Sequence, residues 1–359
     1  MTRDYDAIIV GASFAGLAVA RRLRGRVLLL DRREVGEVQT SACGTPLWVP
    51  QALGVEASVL QVHRKAVVHA PTRTTIYDLG DMPYCTFDYR RFCRGLLDQT
   101  GAVFLRTAVT GLRDGAVETE AGRFEARCVV DCSGWRGVLT GGGHAGAHAP
   151  MSFGLETRTD YQGEALYFWA APDEARHIVS WIFPVGEASR VGVGSYAGTS
   201  RLRQPLERFM GDLGLAPGRY HGTYFPSGLG APTVGTVFAA GDAAGHCLPL
   251  TAEGIRPALY FGDRCGRVVQ DILEGRTTLE QGLAAYRRFV LRHRAIYTWL
   301  RWSQWIVPRV PGAWLGAMAE LARRTQRGWW PRYANFGRLE PAGEGAFGRR
   351  SASPWPGTE

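Results

Sequence analysis

The first thirty-one residues constrain this chain most. Asp6-Ala7-Ile8-Ile9-Val10 has the composition of a short buried strand, and Arg26-Val27-Leu28-Leu29-Leu30-Asp31 has that of a second. Between them lie Gly11-Ala12-Ser13-Phe14-Ala15-Gly16 and then Leu17 to Gly25, whose pattern predicts a helix ending at Gly25. Strand, turn, helix and strand in so short a span define a βαβ unit, and with it a parallel sheet. Gly11 permits the tight turn, and Gly16 lets helix and strand approach closely. Ser13 stands where the fingerprint carries its second glycine, and its hydroxyl can donate to a phosphate. The helix N-terminus then faces a pyrophosphate with its N–H groups and its dipole. Asp31, at the end of the second strand, is placed to accept from a ribose. Gly11, Ser13, Ala15, Gly16, Asp31 and the adjoining Arg32 are therefore the predicted dinucleotide contacts. The other reading is a glycine-rich turn that serves packing alone. The motif by itself does not separate FAD from NAD.

The chain has 359 residues, of which 45% are hydrophobic and 21% charged, enough for one large or two ordinary globular domains. Its net charge of +9 rests almost wholly on arginine, since Lys65 is the one lysine. Arginine excess reflects either genome composition or an anionic partner such as a membrane surface or a lipid phosphate. No recognition motif or compact basic run points to nucleic acid. The seven cysteines, at 43, 85, 93, 128, 132, 247 and 265, contain no CxxC pair. That disfavours a zinc knuckle or a disulfide framework and suits a reducing, cytoplasmic compartment. Two aspartates precede the first apolar run, which argues against a signal peptide. No run of eighteen apolar residues is present, so no spanning helix is expected.

Further along, Tyr89 to Ala102 reads as a helix with Phe92, Leu96 and Leu97 on one face. Strands are expected over 103–112, 116–122 and 123–134. Residues 151–225 alternate in the manner of strands: MSFGLETRT, EALYFWA, HIVSWIFP and RVGVGSY. They predict an antiparallel sheet inserted as a second domain. A buried-strand pattern returns at Thr236 to Asp242, and Gly254 to Leu273 reads as a helix. From 279 to about 333 the chain reads as helical and rich in Trp and Arg. The Gly/Pro/Ser-rich end is expected to be disordered.

The stretch Gly241-Asp242-Ala243-Ala244-Gly245, followed by Pro249 and Glu253-Gly254-Ile255, is the second informative motif. With the N-terminal fingerprint it resembles flavoproteins of the aromatic-hydroxylase class. In that class the Asp lies against the ribityl and phosphate part of FAD, and the next helix points at the flavin ring. The resemblance sharpens to the geranylgeranyl reductase family of FAD-dependent oxidoreductases, which carries GDAAG, then Pro, then TGEGI. Here Ala252 replaces a glycine of that pattern. The family's YxWxFP motif is matched by Trp181-Ile182-Phe183-Pro184 followed by Gly192-Val193-Gly194, with Val179 where the family has Tyr. Its CGG-like loop is matched by Ala42-Cys43-Gly44-Thr45. The resemblance runs from about residue 5 to 300.

What the resemblance implies is an α/β fold: a Rossmann-type FAD-binding domain with an inserted antiparallel-sheet substrate domain and a C-terminal helical segment. The parts are 1–150 and 231–278 for FAD, 151–230 for substrate, 279–335 for the helical segment and 336–359 for a disordered tail. Gly241, Asp242, Gly254, Ile255, Ala42, Gly44, Arg90 and Val109 join the FAD contacts. Asp131, where the chain crosses back beneath the cofactor, is either structural or functional. The implied activity is reduction of isolated C=C bonds in a prenyl lipid. Trp181 and Phe183 suit a tunnel wall or a plain sheet core. Gly192 and Gly194 allow close approach of a chain or ring, or mark a bulge. Cys43 is the candidate proton donor or gate, near its free thiol pKa, and His246 could face the flavin. The electron donor is NAD(P)H or a ferredoxin-like partner protein. Alternatives are a monooxygenase or halogenase of the same superfamily, or a flavin-bearing lipid-binding protein with little turnover. Trp299, Trp302 and Trp305, with Arg292, Arg294 and Arg301, suit a peripheral membrane contact. The reading preferred from sequence is a helical cover packing these aromatics over the pocket.

Overall fold

The computed structural model describes residues 4–39, 41–141, 151–170 and 178–339. Its first sheet is built from the continuous apolar runs. Tyr5–Val10 lies between Gly122–Asp131 and Val27–Asp31, parallel to both. Val103–Arg106 and Val237–Ala239 extend the parallel set on either side, and Thr233–Val234 closes one edge antiparallel. Both faces are covered, which is why these strands do not alternate. On one face Ala7, Ile9, Leu29, Val130 and Phe238 pack with residues of the helices Phe14–Ala20, Tyr89–Leu97 and Ile255–Leu273. On the other, Ile8, Val10, Leu28 and Leu30 pack with Val117 and Phe124, from an antiparallel ribbon of Val109–Arg113, Ala116–Thr119 and the start of Gly122–Asp131. The first helix ends at Ala20, five residues before the expected Gly25. Tighter turns follow, with Arg22 N–H bonded to Val19 O and Leu23 N–H to Ala20 O, and Gly25 then turns the chain at φ +103°.

The second sheet has seven strands in the order His221–Pro226, Met151–Thr159, Ser189–Ser195, Ile178–Pro184, Leu166–Ala170, Lys65–Ala70 and Arg73–Asp78. The four strands expected within 151–225 are present, and His221–Pro226 adds a fifth that was not expected. Two more strands come from outside the expected 151–230 boundary. Leu166–Ala170 runs parallel to Lys65–Ala70, which forms a hairpin with Arg73–Asp78, so the sheet is mixed. Leu166 pairs with Ala66 across the sequence, a contact that no local pattern announces. One face of this sheet, with Ile182, Val191 and Val193, packs on Leu206 and Met210 of the helix Arg203–Asp212.

The C-terminal segment forms helices Leu279–Leu291, Arg294–Ile306, Gly312–Arg324 and Gln326–Ala334. The third lies on the hairpin of the second sheet: a Cβ on Gly312 would sit 3.0 Å from Pro71 Cγ, and Tyr77 Oη donates to Ala319 O at 2.7 Å. The fourth reaches back to the N-terminal half, where Trp48 Nε1 donates to Ala334 O at 2.9 Å. Phe336 is buried, so the fold continues beyond the expected boundary at 335. The rest of the expected tail, 340–359, lies outside the described residues. The preferred reading of the tryptophans is overturned. Trp299, Trp302 and Trp305 are 61%, 59% and 54% exposed, because Tyr297, Leu300 and Gln304 form the inward face of their helix. No helix among the described residues is long and apolar enough to cross a membrane.

Candidate functional site

The turn after the first strand is enclosed by main chain. Gly11 has φ +104°, and a Cβ there would lie 2.1 Å from Cys132 O; one on Gly16 would lie 1.8 Å from Gly11 O. Leu17 N–H is bonded to Ser13 O, but the N–H groups of Ser13, Phe14, Ala15 and Gly16 find no backbone acceptor among the described residues. Such a row of donors is suited to a phosphate anion. Ser13 Oγ lies 3.0 Å from Tyr89 Oη. Asp31 accepts the Ala12 N–H on Oδ2 at 2.9 Å and the Arg33 N–H on Oδ1 at 3.0 Å. Each carboxylate oxygen keeps capacity for a further donor. Arg32 is exposed beside it, and exposed Arg90 packs its backbone against Gly36, where a Cβ would lie 2.8 Å from Arg90 Cα. Val109 is not brought to this turn: its side chain packs in the core on the opposite sheet face, with Ile8 and Val10. Asp131 is structural. Oδ1 accepts from Ser133 N–H and Oγ, and Oδ2 from Leu139 N–H, Thr140 N–H and Thr140 Oγ1.

The two motifs meet at Ala15. A Cβ on Gly241 would lie 2.9 Å from Ala15 Cβ. Gly241 N–H donates to His246 Nδ1 at 3.1 Å, which places the ring hydrogen on Nε2. Burial lowers the His246 pKa to about 3, and the ring sits 4.1 Å from that of Phe261. His246 therefore fixes the turn as a neutral acceptor. Asp242 differs. No side-chain or backbone donor reaches its carboxylate among the described residues, and burial raises its pKa to about 6. Its Oδ1 lies 3.9 Å from the Cβ position of Gly254, at the start of the long helix that begins with Ile255. Leu250 and Ala252 hold φ +64° and +52° in the connecting loop, so Ala252 occupies a conformation suited to the glycine it replaces. Next to it, Glu253 Oε2 accepts from Arg256 Nη2 at 2.7 Å and Tyr333 Oη at 2.6 Å, tying the loop to the last helix.

The third part joins the loop Ser41–Gly44 to the second sheet. Arg190 Nη1 donates to Ala42 O at 2.9 Å and Nη2 to Phe87 O at 3.2 Å. Cys43 is fully buried at φ +56°, and its Sγ donates to Ser41 O at 3.2 Å. Burial pushes its pKa up to about 12, with nearby Arg190 opposing and Glu156 reinforcing the shift. The expectation of a thiol near its free pKa is thus corrected: Cys43 stays protonated through neutral pH. Gly44 faces Phe183, whose ring carbon Cε2 would lie 3.0 Å from an added Cβ. Trp181 shares the Phe183 face, opposite Ile182. Its indole fills the space above Gly192, Gly194 and Gly154, where added Cβ atoms would lie 2.2, 3.3 and 3.7 Å from it. These glycines make room for a side chain of the protein, and the strand pairing through Gly192 and Gly194 carries no bulge.

Sequence reasoning missed the acid of this face. Phe168, Trp181, Gly192, Glu156 and His221 form one cross-strand row. Trp181 Nε1 donates to Glu156 Oε2 at 3.0 Å, and Glu156 Oε1 lies 3.1 Å from His221 Nε2 and 3.4 Å from Gln39 Nε2. Gln39 Nε2 also donates to Ser41 O at 2.7 Å, so the row is tied to the Cys43 loop. Glu156 is buried, while the His221 side chain is 34% exposed. The available signal was alternation: Glu156 falls opposite Phe153 and Leu155, on the face that carries Gly154.

No family model matches the chain. It is 34% identical over 119 residues to a digeranylgeranylglycerophospholipid reductase of Methanocaldococcus jannaschii and 31% identical over 116 residues to that of Methanococcus vannielii. Each match covers 30% of this chain and 30% of the relative. A geranylgeranyl bacteriochlorophyll reductase-like protein from Thermoplasma acidophilum has the same fold, with a TM-score of 0.80 and 18% identity over 89% of this chain and 91% of that one. The p-nitrophenol 4-monooxygenase of Pseudomonas putida also shares it, with a TM-score of 0.74 and 14% identity over 95% of this chain and 100% of that one. The chain thus resembles the digeranylgeranylglycerophospholipid reductases over 30% of its length, spans 30% of the length of those relatives, and shares its fold with the two solved structures. The residues present fit FAD. The donor row at Ser13–Gly16 and the spare acceptors of Asp31 suit the nucleotide end, and the donor-less Asp242 suits a hydroxyl-bearing chain.

Proposed function

We propose that this chain reduces isolated C=C bonds of a prenyl lipid with FAD as its cofactor. The observation that carries the reading is the contact between the Ala42–Gly44 loop and an aromatic sheet face, where Gly44 meets Phe183 beside Trp181. Similarity to reductases of digeranylgeranylglycerophospholipids supports a lipid substrate. An isolated alkene has no carbonyl to stabilise an anion, so hydride and proton must both be delivered in a dry, ordered site. Reduced FAD, when bound, supplies the hydride. Gly11, Ser13, Ala15, Gly16 and Asp31 hold its nucleotide end, and Gly241, Asp242, Gly254 and Ile255 its flavin end. The N-terminus of Ile255–Leu273 favours negative charge there. Trp181 and Phe183 wall the alkene and exclude water. Cys43 holds a proton on Sγ. Glu156 connects this side of the sheet with solvent through His221. Electrons arrive from NAD(P)H or a ferredoxin-like protein.

The test is anaerobic. Dithionite-reduced protein is mixed with geranylgeranyl diphosphate, which has no other reducible group, and flavin absorbance is followed. Reoxidation with a product two mass units heavier is expected. Reoxidation only when oxygen is admitted would replace this reading with the monooxygenase one. Cys43→Ala is expected to slow alkene reduction by about a hundredfold, the usual worth of a general acid, with flavin content retained. Unchanged turnover would remove Cys43 from the mechanism.

A further inference from the structure

The four most exposed tryptophans of the C-terminal segment are on no part of the site above. Trp299, Trp302 and Trp305 project from the helix Arg294–Ile306, and Trp314 from the next helix is 66% exposed. Ile306, Met318 and Leu321 are exposed with them. Monomeric soluble proteins seldom leave so many large apolar side chains in water on two successive helices. The charge around them is one-sided. From Gln281 to Ala319 the sequence has no Asp or Glu and carries Arg287, Arg288, Arg292, Arg294, Arg301 and Arg309. Arg292, Arg294, Arg301 and Arg309 are exposed and have no acidic partner among the described residues. The Arg309 guanidinium lies 4.2 Å over the Trp305 ring, so indole and cation form one surface. By contrast Arg323 and Arg324, one helix on, are both paired with Glu320.

Indole rings favour the headgroup level of a bilayer, and unpaired arginines favour anionic lipid. We infer that the outer face of Arg294–Ile306 docks this protein on an anionic membrane surface. The inner face of the same helix bonds to the loop after the GDAAG motif. Tyr297 Oη donates to His246 O at 2.6 Å, and Leu250 N–H donates to Gln304 Oε1 at 2.7 Å. A membrane held on the outer face is thus one helix away from the flavin-end loop. The inference stands on exposure and charge and does not depend on the reduction chemistry.

The experiment uses the full chain with its flavin and sedimentation with vesicles of phosphatidylcholine alone or with phosphatidylglycerol. Binding to the anionic vesicles is expected at least about tenfold tighter, weakening with added salt, with a blue shift of tryptophan emission. Trp299→Ser/Trp302→Ser/Trp305→Ser is expected to abolish the shift. Arg292→Gln/Arg301→Gln is expected to weaken anionic binding by about fivefold per arginine. Retained flavin absorbance in each variant shows that it is folded. Equal binding to both vesicles, or binding unchanged by both sets of substitutions, overturns the inference. So does concentration-dependent dimerisation that the tryptophan variant abolishes, since the face would then join two copies.

Discussion

The glycines of the turn after the first strand and those beneath Trp181 are crowded for different reasons. At Gly11 and Gly16 the neighbouring atoms are carbonyl oxygens, Cys132 O and Gly11 O. At Gly192 and Gly194 the nearest neighbour is one indole, that of Trp181. Main chain cannot withdraw without moving a strand, whereas a ring can be replaced. The Gly11–Gly16 turn is therefore fixed by backbone geometry, and the sheet face by a side chain that can be exchanged. A binding surface built the second way can change shape by substitution while the fold stays in place.

The largest effect belongs to the first kind. Gly16→Ala puts a Cβ 1.8 Å from Gly11 O, and we expect a loss of more than about 3 kcal/mol together with the flavin. Thermal unfolding and flavin absorbance of the purified variant measure both. Asp242 separates binding from stability. Its folded pKa lies near 6, above the ordinary 3.8, so the cofactor-free protein holds an extra proton between these values. Its stability accordingly falls as pH rises through that window. Asp242→Asn should remove that slope and stabilise the cofactor-free protein at pH 7 by about 2 kcal/mol, while flavin retention collapses. Denaturant titrations at pH 4 and 7 check the sign. Next comes Gly192→Ala, which places a Cβ 2.2 Å from Trp181 and should cost about 1–3 kcal/mol without loss of flavin. Adding Trp181→Leu should recover most of that loss. A double-mutant cycle with no coupling would erase the distinction between the two sets of glycines. The smallest effect is Ala252→Gly. Relief at φ +52° and added freedom of the unfolded chain nearly offset, leaving a gain below about 1 kcal/mol.

These contrasts also govern what could be read from sequence. The Gly11–Gly16 turn and the GDAAG loop are each one short contiguous stretch, so their residues were legible in order. Trp181 and Phe183 were legible as a face because alternation fixes faces. What filled the space over Gly192 was not, since Cβ clearance depends on strand register. Glu156 was missed because its partners Trp181, Gln39 and His221 come from three separate stretches. The pKa of Cys43 was misjudged because burial is a tertiary property. The helix of Trp299 shows a limit of pattern reading. Its period predicted a buried face, and Tyr297, Leu300 and Gln304 supply one, but period alone does not say which of two apolar faces is inside.

The parallel pairing of Leu166–Ala170 with Lys65–Ala70 sets an order of events on the ribosome. The hairpin of residues 65–78 emerges first, and its sheet partner is a hundred residues behind, about 5–20 s at usual elongation rates. Until then its edge is open to other nascent chains. Lys65, the chain's one lysine, and Arg73 begin the two strands and are exposed, charges of the kind that discourage edge-to-edge association. The helix Gly312–Arg324 that finally covers the hairpin is synthesised later still. Truncation before Gly312 would therefore release a chain whose hairpin is paired but uncovered, a substrate for chaperones and proteases.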